Sequence, residues 1–391
     1  MATTVLAAPV RSRIESVDIV RGFIMIVMAL DHVRDYFNPG FNPTNLDHTT
    51  IAWFFTRWIT HYCAPVFFLL TGTGAYLSLK KKSKRELSRF LLTRGLWLIF
   101  LEVVVVRCLG WQFNFNYHLT LLMVLWALGC AMIVLSGLVY FPAWAVTTFG
   151  VAMIALHNLF DNVSWDNPVW TILHSPGMLT TNPNHKVFVF YVLIPWVGVT
   201  AAGYGLGQIY DWRSERRRAF LWKLGVGLIA AFVVIREINI YGDPSRWTVQ
   251  KSVAFTVLSF LNASKYPPSL LYLLMTIGPA VMFLWAVDGR NPKVFGPALT
   301  VGRVPMFYYL LHIPLIHVVA VVVCYARYGT AHWMFESDSP RNFPVNTPPG
   351  WGYSLPIIYL IWFCVVLALY PLCRWYAGLK TRSKNGLLSY I

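Results

Sequence analysis

Apolar runs of about twenty residues, separated by short polar connections, recur along the whole chain. That length lets a helix cross the hydrocarbon core of a bilayer. The runs fall near 17–37, 51–79, 90–110, 118–138, 141–162, 187–209, 219–239, 267–287, 300–325 and 352–375. The alternating pattern of a membrane β-barrel is not the pattern here. The expected fold is therefore all-α: a polytopic integral membrane helical bundle of about ten transmembrane helices. One domain over 1–391 is the simplest account. It would comprise a cytoplasmic N-terminal segment (1–16), the bundle (17–375) and a cytoplasmic tail (376–391). An apolar stretch at Val249–Tyr266 predicts an extra interfacial or re-entrant helix; if it spanned, every later segment would reverse direction.

Composition sharpens this picture. Hydrophobic residues make up 57% of the 391 and charged residues only 12%, where a soluble domain carries about 25% charged. The formal charge of +16 invites a nucleic-acid reading. Its distribution argues against one, because Lys80–Arg89, Asp211–Arg218, Asp288–Lys293 and Arg374–Lys384 sit between or after apolar runs rather than on one face. These basic connections alternate with longer, less basic loops, which is the positive-inside pattern. They place both termini in the cytoplasm of a multi-pass protein of the cell (inner) membrane. The six cysteines lie mostly in apolar runs without metal-ligand spacing, so no metal site is expected.

The first run carries an unusual load. SVDIVRGFIMIVMALDHVRDYF contains Asp18, Arg21, Asp31, His32, Arg34 and Asp35. Arg21 and His32 are eleven positions apart, about 20° in azimuth and ~16 Å along a helix axis. Charge facing lipid is costly, so this stripe must face protein or a water-filled cavity. In the second run, Arg57 and His61 share a face, Pro65 should kink the helix and free a carbonyl, and Gly72 and Gly74 permit close helix packing. In VGRVPMFYYLLHIPLIH, Arg303 lies near the cytoplasmic edge and His312 near mid-membrane, while His317 faces elsewhere and reads as structural. Three histidines, His32, His61 and His312, thus reach similar depths, with Arg21 and Arg303 at the cytoplasmic mouth. Lys265 and Tyr266 precede a helix start at the outer interface. They serve either as an interface anchor or as an acceptor contact.

A membrane-buried histidine suits general-base work. The chain holds no phosphate-binding loop, dinucleotide fingerprint or nucleophile elbow. Acyl transfer fits what remains: a base removes a proton from an acceptor hydroxyl or amine as it attacks a thioester. Arginines at the inner mouth would hold the phosphates of an acyl-CoA, and the acceptor would arrive from outside.

Four motifs taken together, SVDIVRGFIMIVMALDHVRDYF, FFTRWITHYCAPVFFLLTGTGAYL, SKYPPSLLYLL and GRVPMFYYLLHIPLIH, resemble the heparan-α-glucosaminide N-acetyltransferase catalytic-domain family in its bacterial branch. More distantly, Arg21 and His32 resemble the arginine–ten residues–histidine signature of membrane acyltransferases that modify surface glycans. The resemblance implies an acyltransferase moving acetyl from cytosolic acetyl-CoA to an extracytoplasmic sugar or glycan. His32 would be the base, flanked by Asp31, with His61 and His312 nearby. Arg21, Arg303 and Arg57 would bind the donor, and Lys265 and Tyr266 the acceptor. The sequence departs from the family in one place. The family's key histidine lies in the loop after the first span, which here holds His48, so His48 remains a second candidate base. Covalent acetyl-histidine and direct transfer both stay open, as do acetyl or a longer acyl group, the acceptor's identity and a homodimeric state. The rival reading is a transporter or exporter of a glycan or lipid-linked intermediate, its polar stripe lining a translocation path.

Overall fold

A computed structural model describes residues 14–383 apart from 181 and 183; the outermost parts of both predicted terminal segments lie outside the described residues. The helices in chain order are α1 (Glu15–Phe37), α2 (Ile51–Thr60), α3 (Cys63–Ser78), α4 (Lys84–Phe100), α5 (Val124–Leu138), α6 (Ala143–Leu156) and α7 (Pro168–Leu173). They continue with α8 (Leu193–Leu206), α9 (Ser214–Ile238), α10 (Val253–Leu261), α11 (Leu270–Val287), α12 (Gly296–Arg303), α13 (Pro305–Tyr328) and α14 (Leu355–Arg382). The fold is all-α apart from a small sheet. In it β1 (Leu119–Leu122) pairs parallel with β3 (Lys186–Val189), and β2 (Gly177–Thr180) pairs antiparallel with β3.

Among the described residues, five helical segments are long and apolar enough to cross a membrane: Ala143–Phe160, Ser214–Ile238, Leu270–Val287, Pro305–Tyr328 and Leu355–Arg382. The outward sides of α9 and α14 expose Val233, Val234, Leu360, Phe363 and Leu367, a surface made for lipid. The other predicted spans are built less simply. The 51–79 run breaks at His61–Tyr62 into α2 and α3. The 90–110 run ends in a π-helix, Leu101–Trp111. The 118–138 and 187–209 runs each open with a strand, because their first residues are β-branched or apolar positions paired across the sheet. Helix α10 has nine residues, about 14 Å, too short to cross ~30 Å of hydrocarbon. It therefore does not reverse the helices after it.

Proline explains the two sharpest breaks. Pro65 cannot donate to the carbonyl four residues back, which is that of His61. The freed carbonyl accepts a hydrogen bond of 2.7 Å from the Tyr272 hydroxyl on α11. Pro305 opens α13, where its missing N–H costs nothing, and it forces Val304 out of helical geometry, ending α12.

Helix α1 is the axis of the bundle. It packs against α3, α11, α12, α13 and α14, and most of its residues are buried. Its contact with α12 depends on glycine: a Cβ on Gly302 would lie 1.8 Å from the Asp18 carbonyl oxygen. Helices α3 and α8 meet likewise, with a Cβ on Gly203 falling 2.1 Å from the Leu69 oxygen. Gly72 takes part in this second contact, whereas Gly74, expected to do the same, has nothing within 4 Å and opens onto a cavity.

Gly203→Leu should therefore destabilise the bundle by about 1–3 kcal/mol or more, the range for overpacking. Thermal unfolding in detergent should register this as a lowered midpoint. Gly137→Ala, at a helical position with nothing within 4 Å, should leave the midpoint unchanged or raise it.

Candidate active site

The stripe on α1 is divided between two cavities. Arg21 and Met25 face a cavity of about 380 Å³ lined by α3, α4, α5, α13 and the basic ends of α12 and α14. One helical stretch further on, Asp31, His32, Arg34 and Asp35 face a cavity of about 470 Å³ beneath the 38–50 and 340–347 loops.

In the second cavity two of the three candidate imidazoles meet. His32 Nδ1 lies 2.7 Å from His312 Nε2. The rings are 19° apart with centroids at 4.9 Å, a head-to-head arrangement nearly in one plane. His312 Nδ1 faces only carbonyl oxygens, those of Tyr309 at 2.8 Å and Tyr308 at 3.0 Å. Carbonyls only accept, so in the neutral pair this nitrogen carries the proton. His312 Nε2 is then an acceptor, and His32 Nδ1 must donate to it. The chain of donors leaves His32 Nε2 as an unprotonated lone pair on a ring that lines the cavity. The hydrogen bond held by one ring nitrogen sets the tautomer of the other.

The ring of His32 is further held edge-on by Trp111, centroids 4.9 Å apart. Trp111 is fixed in turn by the Tyr36 hydroxyl, which donates to its carbonyl at 2.8 Å. Arg107 braces the chain just beyond. It donates to the Asn114 carbonyl and side chain at 2.8 and 2.6 Å and stacks on Tyr117.

Asp31 serves a different purpose from the one expected beside a base. Its oxygens accept from Arg57 at 2.7 Å, Arg34 at 2.8 Å and Thr60 at 2.8 Å; Arg34 also bonds Asp35. This ionic knot joins α1 to α2 and places Arg57 in the His32 cavity, away from Arg21 and Arg303. Lys265 and Tyr266 line the same cavity, with the Lys265 ammonium 5.2 Å from the Tyr266 ring. Their loop is fixed by buried Arg236, which donates to the carbonyls of Ser245, Ser259, Phe260 and Asn262.

Two of the candidate histidines stand apart. His61 is buried beside Tyr272, with Nδ1 unpartnered, and lines neither cavity. The expected convergence of three imidazoles is thus a pair. His48 is exposed in the 38–50 loop and lines neither cavity. His317 bridges the carbonyls of Gly110 and Met334 at 2.8 and 2.6 Å, the structural role its azimuth predicted.

Arg21 and Arg303 do share the first cavity, and Arg94 and Lys380 join them. Arg21 bonds Asp18 at 3.0 Å, and Arg303 lies 3.7 Å from Glu15. Lys380 belongs to the basic stretch Arg374–Lys384 and Arg94 to the start of the 90–110 run, and sequence alone does not show that either faces a cavity. Arg341, in the second cavity, was masked by a loop without periodicity. Among the described residues no His, Cys, Asp or Glu cluster fit for a metal occurs.

The chain matches the family described as heparan-alpha-glucosaminide N-acetyltransferase, catalytic, over residues 13–241. That is more than half of its length, and the chain belongs to this family. No curated protein matches it significantly. The matched segment holds Arg21, His32 and Arg57; His312, Lys265 and Arg303 lie beyond it. Family and apolar helices together mark a multi-pass membrane protein of an acyltransferase family.

The tautomer chain is directly measurable. In 15N-histidine-labelled protein, NMR should find His32 protonated at Nδ1 and bare at Nε2. Replacing His312 with Leu removes one hydrogen bond worth about 1 kcal/mol, so the preference should relax about fivefold. His312→Gln, which can still accept from His32, should largely retain it. A His32 signal protonated at Nε2 in the neutral wild type would refute the assignment.

Proposed function

We propose that this family member transfers an acetyl group from cytosolic acetyl-CoA to a hydroxyl or amine on an extracytoplasmic sugar or glycan, with His32 as the general base. One observation carries the reading. The His32 lone pair opens into one cavity, while a second cavity with four basic side chains abuts it along the same helix. The positive-inside pattern supports a cytoplasmic position for the basic end, with both termini on that side of the cell membrane and about ten spans forming one domain.

The donor would enter at the basic end. Arg21, Arg94, Arg303 and Lys380 suit its phosphates, and the apolar wall of Met25, Leu98, Leu128 and Met306 suits its narrow thiol-bearing arm. The acceptor would occupy the other cavity, with Lys265 and Tyr266 on its rim. As the acceptor oxygen or nitrogen attacks the thioester carbonyl, His32 Nε2 takes its proton. The positive charge formed on His32 is shared with His312 through the N–H···N contact, and the proton then leaves with the thiol. The same lone pair would serve a covalent acetyl-histidine route. His32 is preferred to His48 as base because only His32 lines a cavity.

Purified protein given acetyl-CoA and a panel of amino sugars and glycans should release CoA and acetylate an acceptor. His32→Ala should lower turnover by about 10²–10⁴-fold, the usual contribution of a positioned base, with the protein still folded. Arg303→Ala and Lys380→Ala should act mainly through KM for the donor. Wild-type turnover in His32→Ala would remove the base, and glycan flux without thioester cleavage would favour the transporter reading.

A further inference from the structure

The two cavities touch without merging, and the same two residues, Tyr309 and Val124, line both. His32 lines only one cavity, and Arg21, Arg94, Arg303 and Lys380 line only the other. A donor anchored by its phosphates at the basic end must bring its acyl carbonyl past these two side chains to meet His32.

Both are held firmly. Tyr309 is 5% exposed, and its ring stands edge-on to His312 and His32 with centroids 5.4 and 6.5 Å away. Its carbonyl is the closer acceptor for the His312 proton, so its backbone is tied to the imidazole pair. Val124 is the first residue of α5. The next two backbone N–H groups donate to the buried Glu102 carboxylate at 2.8 and 3.3 Å, which fixes that helix start without a mobile loop.

We propose that Tyr309 and Val124 form a septum that selects the acyl group and shields the thioester. They admit a short acyl chain to His32, hinder longer ones, and limit how much water from the acceptor cavity reaches the thioester. The proposal rests on the acyl-CoA reading above. In the side reaction prevented, water attacks the thioester carbonyl and a C–O bond forms as the C–S bond breaks. His32 Nε2 takes a water proton and passes it to the departing thiolate, leaving a free carboxylic acid and CoA thiol. In the productive reaction the acceptor replaces the water.

The test uses full-length protein in lipid nanodiscs with acetyl-, butyryl- or octanoyl-CoA and no acceptor. Free CoA is quantified by mass spectrometry, and binding of each thioester by calorimetry. Wild type should release CoA slowly and prefer acetyl. Tyr309→Ala should raise release and reduce the acetyl-over-butyryl preference, each by about tenfold, the scale on which an apolar pocket discriminates a methylene group. Tyr309→Phe should keep the wild-type acyl preference. Val124→Ala should act in the same direction as Tyr309→Ala and Val124→Trp in the opposite one, so a second helix carries the test if Tyr309→Ala does not fold. Adding His32→Ala to Tyr309→Ala should return release to background. Variants that bind acetyl-CoA normally yet change neither release nor acyl preference overturn the septum and leave the donor reading standing. Wild type that binds none of the three thioesters overturns the donor reading, and the septum with it.

Discussion

Ionisable groups inside an apolar bundle need partners, and α1 shows how that requirement organises the structure. Asp31 is buried, and an unpaired carboxylate there would cost several kcal/mol. Arg57 from α2 and Arg34 from the next turn meet it, with Thr60 adding a third donor. That demand draws α2 against α1. Just past Thr60, Pro65 leaves the His61 carbonyl without its helical donor. The released His61 carbonyl then recruits Tyr272 from α11. A packing chain that begins with one carboxylate thus links α1, α2 and α11.

The imidazole pair obeys the same requirement in another way. A serine-hydrolase triad orients its histidine with a carboxylate. Here the far end of the pair rests on two backbone carbonyls of α13. A buried carboxylate would need its own cations, whereas carbonyls are neutral and already present. They still fix the tautomer, which is what leaves the lone pair of His32 toward the cavity. In the proposed reaction the leaving group is a thiol, with a pKa near 8.5. Such a group departs readily and asks less of its acid catalyst than an amine would. A base held by neutral partners is therefore sufficient.

Much of this was legible in the sequence where periodicity carries information. The stripe on α1 followed from helical azimuth, and depth grouped His32, His61 and His312, of which the structure pairs only His32 with His312. Pro65 releasing a carbonyl followed from its missing N–H. Depth alone misled for His61, whose ring packs beside Tyr272 and lines neither cavity. The sheet was hidden because Leu119–Leu122 and Lys186–Val189 are mostly apolar and adjoin real helices, so they extend the apparent runs. Arg94 was hidden because it sits near the start of an apolar run, Arg341 because its loop has no periodicity, and Lys380 because a basic flank looks the same whether it faces lipid headgroups or a cavity. Only three-dimensional placement separates the two.

The division of α1 between two cavities also bears on why the chemistry would sit inside a membrane. Arg21 and His32 are rigidly linked by one helix, ~16 Å apart along its axis. That helix is clamped against α12 at Gly302, where even a methyl group would collide with the Asp18 carbonyl. The distance from the basic mouth to the lone pair is therefore set by covalent geometry, and loop motion does not change it. A donor gripped at its charged end would present its far end at a fixed height, opposite Tyr309. Substrates that meet at a fixed point need no domain to rock between two faces, as alternating access requires. The bundle can then be packed as tightly as the α1–α12 and α3–α8 contacts show, and only the reacting group has to pass between the two sides.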